Sequence, residues 1–555
     1  MKQILLFFFL AFMVTILPAQ EREQLAMAQH YLDLQGEVCL RVSSGNTKAD
    51  FQTINSLVVI DKITDDYFEV YANKSQFEAF LKTGLRFEVL TPASMLRQPV
   101  MLADTRLKDI HSWDFYPTYD EYVTLMQDFV NDYPGLCELV NIKTLNSGHK
   151  ILFIHINNDL SEEQNEPEFM YTATMHGNEL TGYVLMLHYI DYLLSNYGTN
   201  ERVTNLVDNI DIWINPLANP DGTYMGGDNT VYGAVRFNAN GVDFNRNFPD
   251  PDDGPHPDNK VYQPETMAFM DFADEHHFVM SANLHGGAEV INYPWDTWQK
   301  LTADDDWWQY VSRAFADTIH LYGANSYFND LDKGITNGYA WYTITGGRQD
   351  YMNYFQHCRE ATIELSTEKI PQAFHLPGYW DYTYRSFLNY MEESAFGIRG
   401  VISDSKTGDP LKAKVYIEGH DMDSSCVFSS LPVGDYHRLL KAGTYSITYS
   451  AKDYFPKTIT VNVTDGKATI QDVKLELKTG VDEQFARLVT VYPNPFQNTF
   501  TINSPSKIEH LEVISLKGKV VLNQTGISED IMSIDASSFS SGIYFIKLFT
   551  KERVV

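Results

Sequence analysis

An α/β fold is predicted for the middle of this chain, with a mainly parallel or mixed sheet covered by helices. Between residues 111 and 396, apolar strand-like runs alternate with helix-like runs, as they do where strands are joined by helical crossovers. After Gly397 the pattern changes to short alternating strands broken by turn signals such as Thr407-Gly-Asp-Pro410 and Lys441-Ala-Gly-Thr444, which predicts all-β sandwich units. A small mixed unit precedes both. At 555 residues the chain is longer than one core supports, so several domains are expected.

Lys2 precedes an apolar run over residues 4–17 and then Pro18-Ala-Gln20, so residues 1–20 read as a secretory signal peptide. The run is short for a membrane span, and no later stretch approaches 18 continuous apolar residues, so the mature protein is expected to have no transmembrane segment. Residues 22–105 form a small α+β domain, with strands at 38–42, 57–61, 68–72 and 87–90 and a helix at 75–83. It carries no reactive cluster, which leaves a pro-segment or a permanent accessory domain.

The α/β domain is expected over residues 110–396. Its strands are read at 151–157, 169–175, 210–215, 278–284 and 360–365, and its helices at 119–131, 180–197, 264–276 and 309–322. Two all-β domains follow, at 398–477 and 485–555.

Composition narrows the function classes. With 44% hydrophobic and 14% aromatic residues the chain is a folded protein. A formal net charge of -31 excludes a nucleic-acid partner, which needs a basic face. The four cysteines lack CxxC spacing, so they form neither a metal cluster nor a disulfide scaffold.

The chemistry centres on His176-Gly-Asn-Glu179, at the junction of a buried strand and a helix. A histidine and a carboxylate three residues apart there can reach one cation, and a catalytic zinc takes three protein ligands with a fourth position left for water. The spacing alone is weak, because His357-Cys-Arg-Glu360 repeats it at the start of an apolar strand and reads as structural. The His-Glu-x-x-His pattern is absent. A third ligand is expected at His285, which ends another strand and is followed by two glycines.

His176-Gly-Asn-Glu179, Asn219-Pro-Asp-Gly222, Gly241-Val-Asp-Phe-Asn-Arg-Asn-Phe-Pro249 and Leu284-His-Gly-Gly287 occur in this order. Gly334-Ile-Thr-Asn-Gly-Tyr-Ala-Trp-Tyr342, Thr345-Gly-Gly-Arg-Gln-Asp350 and Thr362-Ile-Glu-Leu365 follow. Together they resemble the zinc carboxypeptidase family over residues 110–396, most closely its N/E, or regulatory, branch, which trims basic residues from peptide C-termini. The resemblance implies one Zn2+ per catalytic domain, held by His176, Glu179 and His285, with Asp243 orienting a ligand histidine. It implies Glu364 as general base and acid and Arg236 as stabiliser of the developing oxyanion. Asn245 and Arg246 match the clamp for the substrate carboxylate, and Tyr342 the family's mobile tyrosine. Asp296 matches the acid that pairs with a Lys or Arg side chain, and Gln349 a second pocket residue.

The unit from 398 resembles the transthyretin-like module of the same branch. The end of the chain, with Val491-Tyr-Pro-Asn-Pro-Phe496 and Gly542-Ile-Tyr-Phe-Ile-Lys547, resembles the type IX secretion sorting domain. With the signal peptide, this implies a secreted or surface-attached protein whose partners are peptide C-termini and the type IX secretion machinery. Two other functions remain open to the sequence: a peptidoglycan or isopeptide hydrolase on the same scaffold, and an inert surface binding protein.

Overall fold

The computed structural model describes residues 19–43, 48–478 and 486–551, so the signal-peptide reading lies almost wholly outside the described residues. Ala19 and Gln20 open a helix, Ala19–Gln35. The chain divides into two compact units: Met1–Val401 with Lys414–Thr448 and Thr458–Asp472, and Ile402–Ala413 with Tyr449–Lys457 and Val473–Val555.

In the first unit, the N-terminal segment forms an antiparallel sheet in the order Val59–Ile63, Tyr67–Asn73, Glu37–Ser43, Phe87–Leu90. Alternation divides its residues between two faces. Val38, Leu40 and Val42 enter a core under the helices, while Cys39, Val59 and Tyr71 pack against Phe237. The 75–83 helix is found as Lys74–Leu81, closed at its start by an Asn73/Gln76 capping box.

The α/β part holds an eight-stranded sheet. Its spatial order is Ile335–Asn337, Glu289–Tyr293, Arg359–Leu365, Phe278–His285, Glu168–Ala173, Asp211–Asn215, Lys150–Ile156, Cys137–Thr144. The four strands from Arg359–Leu365 to Asp211–Asn215 are mutually parallel, and antiparallel neighbours flank them on both sides, so the sheet is mixed. The central strands are buried on both faces and therefore read in the sequence as unbroken apolar runs. Helix Thr181–Asn196 is buried almost all round, and helices Asp305–Tyr322 and Leu376–Glu392 cover the same core.

The strands of the β-rich region that belong to this unit include Lys414–Ile417 and Asp435–Arg438. Buried Asp304, just before helix Asp305–Tyr322, receives Arg359 at 2.8 Å and Arg438 at 2.9 Å.

In the second unit, Ile402–Asp404 pair with Val473–Leu475. Thr490–Tyr492, Thr499–Ser515, Val520–Asp535 and Tyr544–Thr550 form an antiparallel sheet. Thr499–Ser515 is a single long strand. The register slips between Asn503 and Ile508, and that irregularity accommodates Pro505, which has no N–H to give a ladder. All four cysteines are buried free thiols. No helix among the described residues is long and apolar enough to cross a membrane.

Candidate functional site

Three neighbouring parallel strands bring the predicted residues together. His285 ends Phe278–His285 and stands in register opposite Glu364 of Arg359–Leu365. On its other side Leu284 pairs with Ala173, three residues before His176. Parallel strands all end on one side, and that common carboxyl edge is where α/β sheets bind ligands.

His176, Glu179 and His285 are buried and converge. His176 Nδ1 lies 3.0 Å from Glu179 Oε2, His285 Nδ1 lies 2.9 Å from the same oxygen, and the two Nδ1 atoms are 3.1 Å apart. Ligands about 2.05 Å from a tetrahedral zinc are separated by roughly 3.3 Å, so this triangle fits that ion. His176 Nε2 is 3.2 Å from Asp243 Oδ1, which makes Nε2 the protonated nitrogen and leaves the Nδ1 lone pair free for a metal. Burial holds the His285 imidazole down, at about 4, and so neutral. Burial alone would raise Glu179, but His176 and Lys369 outweigh it and keep the carboxyl well below its usual range.

The loop geometry depends on close backbone approach. A Cβ at Gly177 would stand 2.5 Å from the Gly222 carbonyl carbon and 2.6 Å from Val235 O. Asn219 ties the same three loops, donating to Met175 O and Arg236 O while accepting from the Gly222 N–H. That is the physical content of the Asn219-Pro-Asp-Gly222 motif.

Glu364 is half-buried beside the triangle, with Oε2 unpaired. Burial, and then the nearby Glu179 charge, push its carboxyl well up. Arg236 is buried, with Nε 3.0 Å from Asp243, and Nη1 3.2 Å from Glu179 and 3.1 Å from Asp61. Arg246 and Asn245 border the same cavity. Asn245 Oδ1 accepts the Arg348 N–H, leaving Nδ2 as the donor available to a ligand. Tyr342 is also at the cavity, its phenol pushed up to about 12 by burial.

Asp296 lies at the cavity with Asn292 beside it, donating at 3.0 Å to Oδ1. Asn292 Oδ1 is a buried acceptor without a donor. Burial raises the Asp296 carboxyl to about 6. Gln349 does not line the cavity. It donates to Asp296 Oδ1 at 3.1 Å and accepts the Thr362 N–H, so it reaches the pocket only through Asp296. Asp350 holds the same turn by accepting the Asp296 and Thr297 N–H groups.

Two residues at this site are absent from the sequence reading. Lys369 Nζ is 2.6 Å from Glu179 and 2.7 Å from Asp61. Asp61 itself comes from strand Val59–Ile63 of the N-terminal sheet. Neither stands in a distinctive local pattern: Ser366-Thr-Glu-Lys369 reads as a polar loop and Asp61 as the polar end of a strand.

The second His-x-x-Glu pair is placed differently. His357 Nδ1 bonds Ser424 O at 2.8 Å, while buried Glu360 takes a two-pronged contact from Arg348 at 3.0 and 2.9 Å.

Residues 122–386 match the family model for zinc carboxypeptidase, and residues 490–555 match that for the secretion system C-terminal sorting domain. The chain is 36% identical over 402 residues to carboxypeptidase D of Homo sapiens, covering 68% of this chain and 28% of that protein. It thus spans little more than a quarter of that relative's length. It is 33% identical over 401 residues to the carboxypeptidase N catalytic chain of Rattus norvegicus, covering 65% of this chain and 86% of that one. In fold it is similar to the carboxypeptidase A of Helicoverpa armigera, with a TM-score of 0.50 at 18% identity, covering 64% of this chain and 97% of that one.

Proposed function

This chain belongs to the zinc carboxypeptidase family, and on that premise we propose that it is an exported metallocarboxypeptidase releasing C-terminal Lys or Arg from peptides. The observation that carries the reading is the buried triangle of His176, Glu179 and His285, whose edges suit zinc. One Zn2+ held there supplies Lewis acidity to a water and to the scissile carbonyl.

The chain's own residues do the rest. Glu364, with its raised carboxyl and unpaired oxygen, accepts a proton from the attacking water and delivers one to the leaving amine. Arg236 offers guanidinium N–H groups to the oxygen on which negative charge develops. Arg246 and Asn245 bind the free carboxylate, which restricts cleavage to the last residue. Tyr342 stands over the same space. Asp296 and the donorless Asn292 Oδ1 form an acceptor pair for an ammonium or guanidinium group, with Gln349 and Asp350 holding Asp296 in place.

In the same reading, residues 22–105 are a pro-segment or accessory domain and 110–396 the catalytic domain. Residues 398–477 form a transthyretin-like packing module, and 485–555 the sorting domain. The sorting-domain match points to secretion and surface attachment, with the type IX secretion machinery as partner.

The test uses purified protein and peptides ending in Lys, Arg, Leu and Glu. Release of Lys and Arg that is abolished by a chelator and restored by zinc is the expected outcome. Full activity in Glu364→Ala would refute the role given to that carboxylate.

A further inference from the structure

The strands that carry the site near their carboxyl edge begin at a second cavity. Glu168 and Asp211 open Glu168–Ala173 and Asp211–Asn215, and both line a space of about 250 Å³ that lies within the first unit. Roughly 20 Å of strand separates this space from the metal triangle, at about 3.3 Å for each residue of Glu168–Ala173. One bound residue therefore cannot engage both places.

The wall is acidic and lacks a counter-charge. Glu163, Glu166, Glu168, Asp211 and Asp435 line it, and no lysine or arginine does so among the described residues. The histidines do not neutralise it, because His155 is shared between Glu138 and Asp211, and His276 Nδ1 meets Glu168 Oε2 at 2.8 Å. Asp211 also accepts from Asn157 and Trp213, Glu168 accepts the His277 N–H, and Asp435 accepts from Ser430. These three acids are fixed in place by their neighbours. Glu166 is less well served: Asn157 Nδ2 donates to Oε2 at 3.0 Å, and burial raises the carboxyl to about 6 although Arg399 stands near enough to pull it down. Burial, and then the charges of Glu168, Asp435 and Asp211, raise Glu163 as well.

A separate observation concerns the same space. His437, on strand Asp435–Arg438, lines the cavity although it is only 7% exposed. Burial lowers the imidazole, so the ring is neutral near pH 7, and Nε2, 3.0 Å from Asp435 Oδ2, carries the proton. Nδ1 is then a buried lone pair with no donor among the described residues, and such an acceptor costs free energy until a donor reaches it. A preformed metal centre does not account for these groups. Among the described residues, His176, Glu179 and His285 are the one set of three such donors that converges. An ammonium or guanidinium needs no such convergence, and it brings N–H donors for Nδ1 and the carboxylates together with a positive charge for the wall. The volume is just short of the roughly 300 Å³ at which pockets for whole small molecules begin, which is room for the end of a side chain.

We propose that this cavity is a second cation site, which takes the guanidinium or ammonium group of a basic amino acid, free or within a peptide, with Glu163 and Glu166 as counter-charges and His437 Nδ1 as an acceptor. The site stands apart from the peptidase chemistry and does not depend on it. A residue within a peptide suits it better than a free amino acid, because the acidic wall repels an α-carboxylate.

The test is titration calorimetry of the full-length zinc-loaded chain with acetylarginine amide, which lacks the free carboxylate that Arg246 and Asn245 would bind. Saturable binding is expected, with the uncharged acetylcitrulline amide weaker by about tenfold or more and a similar loss in Glu166→Gln. Asp296→Ala, which removes the acid of the other pocket, should keep the binding. Hydrogen exchange over residues 159–166 should slow when the probe is bound. Free arginine is compared by the same readout: less protection of this loop than the amide gives places the ligand within a peptide, and more protection makes it a released amino acid. Glu166→Gln should leave hydrolysis of a peptide ending in Ala-Arg unchanged. Binding of the probe by a chain that hydrolyses no such peptide would uphold the cation site and refute the carboxypeptidase reading instead. Equal binding of the citrulline amide, unchanged affinity in Glu166→Gln, or loss of all binding in Asp296→Ala would overturn the proposal.

Discussion

His176-Gly-Asn-Glu179 and His357-Cys-Arg-Glu360 share a spacing and differ in almost everything else. The first pair follows its strand, at the carboxyl edge of the sheet, and both side chains turn toward one point where His285 meets them. The second pair lies at the beginning of its strand, at the opposite edge. There His357 turns out to the Ser424 carbonyl and Glu360 turns in to Arg348 and Ser281. Glu360 gives both oxygens to Arg348 with no other ligand group converging on them, whereas Glu179 gives Oε1 to Lys369 and Arg236 and turns Oε2 toward His176 and His285, which together can hold a metal. Position on the sheet, not residue spacing, separates a candidate metal site from a structural anchor.

The strongest way to break the comparison is to delete one histidine from each pair. His176→Ala should lose bound zinc by elemental analysis and lower peptide hydrolysis by at least about a thousandfold. Retained zinc and activity in that variant would remove the distinction altogether.

Glu360 provides the next test. Glu360→Gln leaves the Arg348 guanidinium buried without its counter-charge, which costs about 3 kcal/mol of stability in denaturant unfolding. Its zinc content should be that of the unaltered protein. Glu179→Gln should show the reverse, weakened metal binding with a smaller effect on unfolding of the metal-free chain.

How much of this was readable beforehand follows from the same contrast. His176, Glu179 and His285 are legible because parallel strands buried on both faces appear as apolar runs, and a polar residue at or beside such a run needs a reason, whereas Glu364 enters through the family resemblance of Thr362-Ile-Glu-Leu365. Lys369 and Asp61 were not legible. Each is an ordinary polar residue in its local sequence, and they meet at 2.7 Å although they lie 308 positions apart in the chain. Helix Leu376–Glu392 was missed because Pro377 and Gly378 in its first turn imitate a loop, although proline is well tolerated there. Strands Glu289–Tyr293 and Ile335–Asn337, at one end of the sheet, are five and three residues long, too short for alternation to register.

A smaller effect concerns side-chain preference, in the pocket beside the first pair. Asp296→Ala should lower kcat/KM for C-terminal Lys or Arg by about a hundredfold relative to Leu. Burial raises the Asp296 carboxyl from 3.8 to about 6, so in the free protein it is protonated below that value and ionised above it. Only the ionised form attracts the substrate cation, and KM for Lys and Arg substrates should therefore rise as pH falls through 6, while KM for Leu stays level. The stability linkage runs the other way: a buried acid with a raised value loses stability as pH climbs from about 3.8 to 6. Asp296→Asn should abolish both trends.

The smallest effect belongs to His357. Burial lowers its imidazole, so the ring is neutral near pH 7 and donates Nδ1–H to Ser424 O. Removing that bond in His357→Ala should cost about 1 kcal/mol. The backbone at this position adds a second term, because φ is 57°, in the left-handed region that resists a Cβ. Alanine keeps that strain and glycine relieves it, so His357→Gly should be more stable than His357→Ala by up to about 1 kcal/mol although both lack the imidazole. Zinc content should be unchanged in either variant. If instead His357→Gly lost metal, the two His-x-x-Glu pairs would be coupled through the strand that joins Glu360 to Glu364, and position on the sheet would no longer suffice to tell them apart.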